Sequence, residues 1–295
     1  MFFFICDTII FMNIKRAEIL GFCFGVRRAV NLAVSALKDN QGKKIYSLGP
    51  LIHNEAALAA LEAKGLHIIE PDQLNLLDKD CVVIIRAHGV SPEIINKIKA
   101  KNCLIIDATC PRVKASQKTV ERYSYGNDYV ILTGDKNHGE VIGIAGYAGP
   151  NYLQLQNSTE AAELKVPFNQ EKNFILLSQT TYSLNEFEEI KKILAGKIKN
   201  LDIMNTICPA TKERQEALLE LCTQVDGVLV IGGKKSANTI RLFQTAQKNC
   251  TVAAHIQTAA EIPEEFYKLK TVGITAGAST PDELIEDVEK ALMLK

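Results

Sequence analysis

Short apolar runs alternate along this chain with stretches that carry a helical pattern of apolar positions. The runs at 82–85, 130–132 and 228–230 contain no charged residue, and amphipathic segments follow them. Continuous apolar runs of this length are typical of parallel strands that are buried on both faces, and the helices between them form the crossovers. The pattern therefore predicts an α/β protein built from mainly parallel sheets.

The pattern occurs three times along the chain. Placing Cys110 over Cys208, 98 residues further on, aligns a Cys-Pro step, an apolar run and a glycine without a gap. The first third of the chain, which contains Cys23, fits after a shift of two residues. Internal repetition indicates similar structural units. We predict three small α/β units at 12–107, 108–204 and 205–295, the last with a C-terminal helix, in a pseudo-threefold arrangement around a central metal cluster.

Polar residues follow two apolar runs in each unit. One group begins four residues after a glycine, and the other comes directly after the next apolar run. These positions hold His53, His88, His138, Glu140, Thr180, Ser236, Asn238 and Ser279. Ligands of parallel sheets gather at the carboxyl ends of the strands, so we expect these side chains to surround the three cysteines. Taken singly, Ser, Thr and Asn at such points serve equally well as helix caps and turn residues.

Cys23, Cys110 and Cys208 occupy the same position of the repeat. Three converging thiolates fit an iron–sulfur cluster with one iron left open, because four cysteines would saturate a [4Fe–4S] cluster. Zinc is the alternative metal, and a lone nucleophilic cysteine would explain only one of the three. No Cys-x-x-Cys pair occurs, so the other cysteines are expected to be small buried hydrophobic residues. They are Cys6, Cys81, Cys103, Cys222 and Cys250.

The remaining polar positions suit a phosphate or diphosphate ligand. Histidine, Ser, Thr and Asn at helix starts bind anions with the help of backbone N–H groups and the helix dipole. Glu140 is the strongest candidate for a proton donor, since a buried carboxyl group near a metal can hold or pass on a proton. The alternative is that Glu140 is a solvated acid in the first turn of a helix.

Composition narrows the class of protein. The 295 residues include 34 basic and 34 acidic side chains. Because no concentrated positive field results, neither a nucleic acid nor a membrane is an expected partner. No secretory signal is visible, so we expect reduced thiols and a cytoplasmic protein. Residues 1–11 are too few to span a bilayer, and Met12 looks like the more natural start, so these residues are treated as an extension of doubtful relevance.

Several motifs together resemble one known family. In chain order they are Gly21-Phe22-Cys23-Phe24-Gly25-Val26, Leu51-Ile52-His53-Asn54, Arg86-Ala87-His88-Gly89-Val90-Ser91, Asp107-Ala108-Thr109-Cys110-Pro111, Asn137-His138-Gly139-Glu140-Val141, Ser178-Gln179-Thr180-Thr181 and Ile207-Cys208-Pro209-Ala210-Thr211. From about Met12 to the C-terminus, the chain resembles the 4-hydroxy-3-methylbut-2-enyl diphosphate reductases. These are iron–sulfur enzymes of the non-mevalonate isoprenoid pathway.

The resemblance implies an oxidoreductase that removes the substrate hydroxyl reductively and yields isopentenyl and dimethylallyl diphosphate. It implies a [4Fe–4S] cluster held by Cys23, Cys110 and Cys208, and electrons from a ferredoxin or flavodoxin. Glu140, Thr180 and His138 would be catalytic, with Glu140 relaying protons. The substrate-binding residues that the resemblance implies are His53, His88, His138, Thr180, Ser236, Ala237, Asn238 and Ser279.

Two residues depart from the family's usual pattern. Ala237 stands where Ser is frequent, so only a backbone N–H contact is left there. Gly139 stands where Pro is frequent, which loosens the backbone before Glu140. Two other functions stay open at this point. They are a hydro-lyase that uses an open-iron cluster without net electron transfer, and a non-enzymatic cluster or zinc module that senses redox state.

Overall fold

The computed structural model describes residues 12–126, 128–165 and 171–294, and these ranges contain twelve β-strands and ten α-helices. The strands are β1 Asn13–Arg16, β2 Lys44–Leu48, β3 Leu66–Ile69, β4 Cys81–Ile85, β5 Leu104–Asp107, β6 Tyr129–Thr133, β7 Tyr152–Leu155, β8 Phe174–Ser178, β9 Leu201–Ile203, β10 Gly227–Ile231, β11 Val252–Ile256 and β12 Thr271–Ala276. The α-helices are α1 Phe24–Asp39, α2 Glu55–Glu62, α3 Pro92–Lys99, α4 Pro111–Tyr125, α5 Gly139–Ala145, α6 Ser158–Glu163, α7 Leu184–Ala195, α8 Pro209–Cys222, α9 Ala237–Asn249 and α10 Asp282–Met293. Short 3-10 helices lie at Pro71–Leu76, Ala259–Glu261 and Glu264–Lys268.

The strands form three sheets of four, and every pairing is parallel. The orders are β3-β2-β4-β5, β7-β6-β8-β9 and β1-β12-β10-β11. All five residues of β4, β8 and β10 are buried. This is the burial expected for a parallel sheet that is covered on both faces. The predicted fold class, with three similar parallel sheets, is therefore confirmed.

Strand β1 does not join the sheet that follows it in the chain. It pairs with β12 at the opposite end of the sequence, with Asn13 beside Thr271 and Arg16 beside Ile274. The first predicted unit, at 12–107, thus begins with a strand of the third sheet. A four-residue edge strand can pair with any sheet that has an uncovered edge. Its own sequence pattern is too short to specify which sheet that is. The other boundaries of the three units stay a prediction.

The described residues form two compact units. One runs from residue 23 to 212 and contains the sheets of β2–β5 and β6–β9, and the other combines residues up to 22 with residues from 213 onward. Each sheet has its own apolar core. Leu48, Val83 and Ile98 lie in the first sheet's core, Phe174, Phe187 and Ile190 in the second's, and Phe266, Ile274 and Val288 in the third's.

The two central strands matter most for function in each sheet. From β2 the chain crosses to the outer strand β3 and then returns to the other side of β2 as β4. Such a reversal of strand order opens a crevice at the carboxyl ends of the two central strands, and ligands bind there in open parallel sheets. The same reversal occurs between β6 and β8 and between β10 and β12. The predicted polar positions follow these six strands.

Two of the cysteines outside the repeat are not separate thiols. Cys222 at the end of α8 and Cys250 after α9 form a disulfide bond, so the prediction of reduced, unpaired thiols is wrong for this pair. Their Cα atoms lie 5.6 Å apart although 28 residues separate them in sequence. Cys81 and Cys103 are free, whereas Cys6 and the extension at 1–11 lie outside the described residues. No described helix has both the length and the apolar character needed to cross a membrane.

Candidate functional site

The three repeat cysteines stand at the starts of helices. Cys23 is the N-cap of α1 and Cys110 the N-cap of α4, and neither side chain forms a capping hydrogen bond of normal geometry with its helix. Cys208 directly precedes α8. All three are free and half-buried. Ser, Thr or Asp would normally use its side chain to cap the helix at such a position, so the thiols are left available for another partner.

Backbone hydrogen bonds fix two of these cysteines to the central strands. The N–H of Cys110 donates to the carbonyl of Ala87 at 2.9 Å, just after β4. The N–H of Cys208 donates to the carbonyl of Thr180 at 2.8 Å, just after β8. Cys110 and Cys208 are therefore both anchored on the segment that directly follows a central strand of the preceding sheet.

The first turn of α1 packs directly on Cys110. A Cβ atom at Gly25 would lie 2.7 Å from the Cys110 Sγ atom, so no larger residue fits there without displacing the sulfur. Arg28 strengthens this contact by donating to the carbonyls of Asp107 and Thr109, both at 3.2 Å. These contacts explain why Gly25 follows Cys23 by two residues in the sequence.

Cys23 and Cys208 act electrostatically on the Cys110 thiol. Burial raises the pKa of the Cys110 thiol, and negative charge at Cys23 and Cys208 raises it further. Backbone N–H groups of Arg112 and Val113 act in the opposite direction. Three thiolates within range of one another repel, and a bound cation would stabilise them together. The donor set of three free, half-buried thiols therefore fits a thiophilic metal or an iron–sulfur cluster.

Three histidines form a cluster in the same compact unit. The ring centroids of His53 and His88 lie 4.8 Å apart, those of His88 and His138 5.1 Å, and those of His53 and His138 5.8 Å. One nitrogen from each ring lies within 4.8 Å of the others. They follow β2, β4 and β6, so residues that are distant in sequence converge as predicted for these three positions.

Glycines on α5 allow this convergence. A Cβ atom at Gly143 would lie 3.2 Å from the carbonyl oxygen of Gly89 and 3.3 Å from that of His88. One turn further on, a Cβ at Gly146 would overlap the side chain of Ser91. The helix can therefore approach the loop after β4 closely, and this brings His138 at its start against His88.

His88 in this cluster is held in its neutral form. Burial lowers the pKa of His88 well below its usual value, and the neighbouring His53, His138 and Arg86 lower it further. In the His138 ring, Nδ1 accepts a hydrogen bond from the backbone N–H of Glu140 at 3.2 Å. Since that nitrogen acts as an acceptor, the proton of the neutral ring lies on Nε2.

Glu140 and Thr180 face each other across the crevice between β6 and β8. The Oε1 atom of Glu140 accepts from the Thr180 backbone N–H at 2.6 Å, and its Oε2 atom pairs with the Thr180 hydroxyl at 2.7 Å. Glu140 is only 1% exposed, which excludes the alternative of a solvated acid at a helix start. Both hydrogen bonds fix the carboxyl group in one orientation.

Arg86 was not predicted from the sequence as a site residue and stood there only as the first residue of a motif. A Cβ atom added at Gly49 would lie 2.6 Å from Nη1 of Arg86, and one added at Gly139 would lie 2.8 Å from its Cζ atom. The arginine side chain therefore lies between these two glycines. Gly139 thus leaves space for a guanidinium group beside the histidines. The signal in the sequence that could have identified Arg86 was a basic residue directly after a strand made only of apolar residues.

The other compact unit carries the remaining predicted residues. Ser236 caps α9 by accepting from the Thr239 N–H at 3.4 Å, and Ala237 is the first residue of that helix. Asn238 is 5% exposed, and its Nδ2 atom has no hydrogen-bond partner. Ser279, 6% exposed, follows β12. These residues share the crevice between β10 and β12, and their convergence with the histidines stays a prediction.

Comparison with known proteins gives a consistent result. A curated protein of Treponema denticola named 4-hydroxy-3-methylbut-2-enyl diphosphate reductase is 46% identical over 288 residues, which cover 96% of this chain and 99% of that protein. A Thermoanaerobacter protein of the same name is 41% identical over 282 residues, covering 95% and 96%.

Solved structures agree with the sequence relatives. The Plasmodium falciparum structure titled E-1-hydroxy-2-methyl-but-2-enyl-4-diphosphate reductase superposes with a TM-score of 0.87 at 30% identity, over 96% of this chain and 87% of that one. A second, titled as the terminal enzyme of the non-mevalonate pathway, has a TM-score of 0.72 at 37% identity, over 96% and 100%. The family model described as LytB protein matches residues 14–293. The chain therefore belongs to the LytB family.

Proposed function

We propose that this protein is a 4-hydroxy-3-methylbut-2-enyl diphosphate reductase. It removes the allylic hydroxyl of its substrate as water, using two electrons and two protons, and yields isopentenyl and dimethylallyl diphosphate. The relatives' names support the activity. The observation that carries the proposal is that one compact unit contains the three free cysteines of the repeat, a histidine cluster and the Glu140–Thr180 pair.

The cofactor in this proposal is a [4Fe–4S] cluster bound by Cys23, Cys110 and Cys208. Their uncapped thiols and mutual repulsion support the assignment, because cluster irons would neutralise the three thiolates. When bound, such a cluster supplies low-potential electrons and one iron that no cysteine occupies. A ferredoxin or flavodoxin is the proposed electron donor, and the cytoplasm is the proposed compartment.

The histidine cluster is the proposed site for the diphosphate. Neutral imidazoles can donate N–H groups to phosphate oxygens, and the proton on Nε2 of His138 leaves that atom free to donate away from its own helix. Ser236, Asn238, Ser279 and the N–H of Ala237 are proposed as further contacts. The buried Nδ2 atom of Asn238 supports this, because a buried amide donor without a partner is costly.

Glu140 and Thr180 are proposed to handle the protons. In the structure the Thr180 hydroxyl donates to Oε2 of Glu140. When Glu140 is protonated, Oε2 would instead donate to the Thr180 hydroxyl, which can pass a hydrogen bond on to the leaving hydroxyl of the substrate. The second hydrogen bond, from the Thr180 N–H to Oε1, holds the carboxyl group in place during the transfer. General acid catalysis of this kind requires such direct hydrogen-bond contact.

Anaerobic purification followed by iron and sulfide analysis and an activity assay tests this proposal. We expect close to four irons and four sulfides per chain, and conversion of the allylic diphosphate only with a strong reductant. Turnover without reductant would instead identify a hydro-lyase. A protein that binds neither the cluster nor the diphosphate would contradict both enzymatic functions.

A further inference from the structure

Arg86 occupies a narrow slot at the centre of the histidine cluster's supporting loops. It is the first residue after β4, and its carbonyl accepts from the N–H of Gly89 at 3.0 Å. The guanidinium lies against Gly49, which has a φ of 69° and follows β2, and against Gly139, which adjoins His138. The side chain therefore contacts the loops that carry two of the histidines, and it stands two residues from the third.

The guanidinium of Arg86 lacks a counterion in the described part of the chain. Its Nε atom is buried without a hydrogen-bond partner, and no described carboxylate lies within ion-pair distance. Burial lowers the pKa of Arg86, and only Glu70 opposes this effect through its charge. A half-buried cation without a partner is unfavourable, so the position calls for an anion from outside the chain.

We propose that Arg86 is the permanent cation of the diphosphate site and positions the diphosphate on the three histidine rings. The inference rests on the proposed function, because it assigns the diphosphate to this cluster. Neutral imidazoles provide directed donors but no net charge, whereas a guanidinium stays protonated in proteins. Arg86 thus attracts the negatively charged diphosphate, while the N–H groups of the rings orient it.

A metal ion is the competing occupant, since three histidine nitrogens within 4.8 Å of one another would suit one. The guanidinium argues against it, because an uncompensated positive charge beside the rings repels a second cation. The same charge attracts a polyanion. The chemistry of the cluster therefore favours pyrophosphate over a divalent metal.

Calorimetric binding of inorganic pyrophosphate to the anaerobically purified protein tests the inference. Arg86→Met should weaken binding about ten- to a hundredfold near pH 8, as expected for loss of one charge at roughly 6–10 Å in a medium of effective dielectric constant about 20. Arg86→Lys should retain most of the affinity. Arg122→Met, at an exposed position of the same compact unit, should bind like the unmodified protein.

A pH series separates a charge effect from a structural one. The positive charge of Arg86 lowers the pKa of His88, so His88 should take up a proton at higher pH in Arg86→Met. The difference in pyrophosphate affinity between this variant and the unmodified protein should therefore narrow on acidification. The groups that face His88 are His53, His138 and Arg86, and Glu140 adjoins His138 through its N–H. If Arg86→Met loses the same pyrophosphate affinity at every pH and Arg86→Lys does not restore it, the inference is overturned.

Gly139→Ala is a second variant that keeps the arginine. The added methyl group displaces the guanidinium from its slot, so pyrophosphate binding should again weaken, even if Arg86→Met fails to fold. If Arg86→Met and Gly139→Ala both bind pyrophosphate as tightly as the unmodified protein, the role of Arg86 is overturned but the proposed diphosphate site is not. If the unmodified protein does not bind pyrophosphate, the proposed diphosphate site itself is wrong, and the role of Arg86 falls with it.

Discussion

Thr180 contacts both oxygens of the Glu140 carboxyl group. The backbone N–H lies 2.6 Å from Oε1 and the hydroxyl 2.7 Å from Oε2. Two contacts from one residue on the neighbouring strand fix the distance and the tilt of the carboxyl group together. A group that must deliver protons in one direction gains from such a restraint.

Glu140→Gln should reduce turnover roughly a hundredfold or more, because an amide cannot donate the proton that a carboxylic acid provides. Iron content and pyrophosphate affinity should stay close to those of the unmodified protein. Steady-state rates with a chemical reductant, together with iron analysis, check this expectation. Glu62→Gln on the exposed end of α2 is the matched control, and an undiminished rate in Glu140→Gln would remove Glu140 from the mechanism.

Single replacement of Cys23, Cys110 or Cys208 by Ser should abolish the brown absorbance of the cluster and most of the bound iron. A serine hydroxyl is a poor substitute for a thiolate ligand of iron. Cys103→Ser, which changes a free cysteine outside the repeat, should retain full iron content. Normal iron content in all three single variants would refute the ligand assignment.

Gly143→Ala should push α5 away from the loop after β4, since the new methyl group meets two backbone carbonyls that cannot easily move. We expect a loss of about 1–3 kcal/mol in the free energy of unfolding and weaker pyrophosphate binding as the histidines separate. Gly196→Ala is the control, because its nearest neighbour would lie 3.5 Å from the added atom. Denaturant titration and calorimetry measure both effects.

Stability should fall on acidification through the range in which free histidine titrates. The folded protein holds the pKa of His88 well below 6.5, so the unfolded chain binds more protons below that pH, and protonation favours unfolding. Well above pH 6.5 His88 is neutral in both states and adds no pH dependence. Denaturant titrations at pH 5.5 and 7.5 give the free energy of unfolding at each pH. The difference between the two values should be smaller in His88→Asn than in the unmodified protein, and an equal difference would contradict the assignment to His88.

The repeat predicted much of this molecule from sequence. Apolar runs located the strands, and the aligned positions identified His53, His88 and His138 before their rings were known to meet. The predicted unit at 12–107 gave no indication that β1 pairs with β12, because four residues at an edge do not encode their partner. Arg86 was overlooked because its burial depends on two glycines far away in sequence. Likewise, nothing in the spacing of Cys222 and Cys250 indicated that their helices bring them together.

Thr180 has a consequence for how the site can move. The residue holds Glu140 through its N–H and hydroxyl, and its carbonyl accepts from the N–H of Cys208. The N–H and the carbonyl belong to the two planar peptide groups that meet at the Thr180 Cα atom. A displacement of the Cys208 backbone can therefore reach the Glu140 carboxyl group through this one residue, which couples the position of a proposed cluster ligand to that of the proposed proton donor.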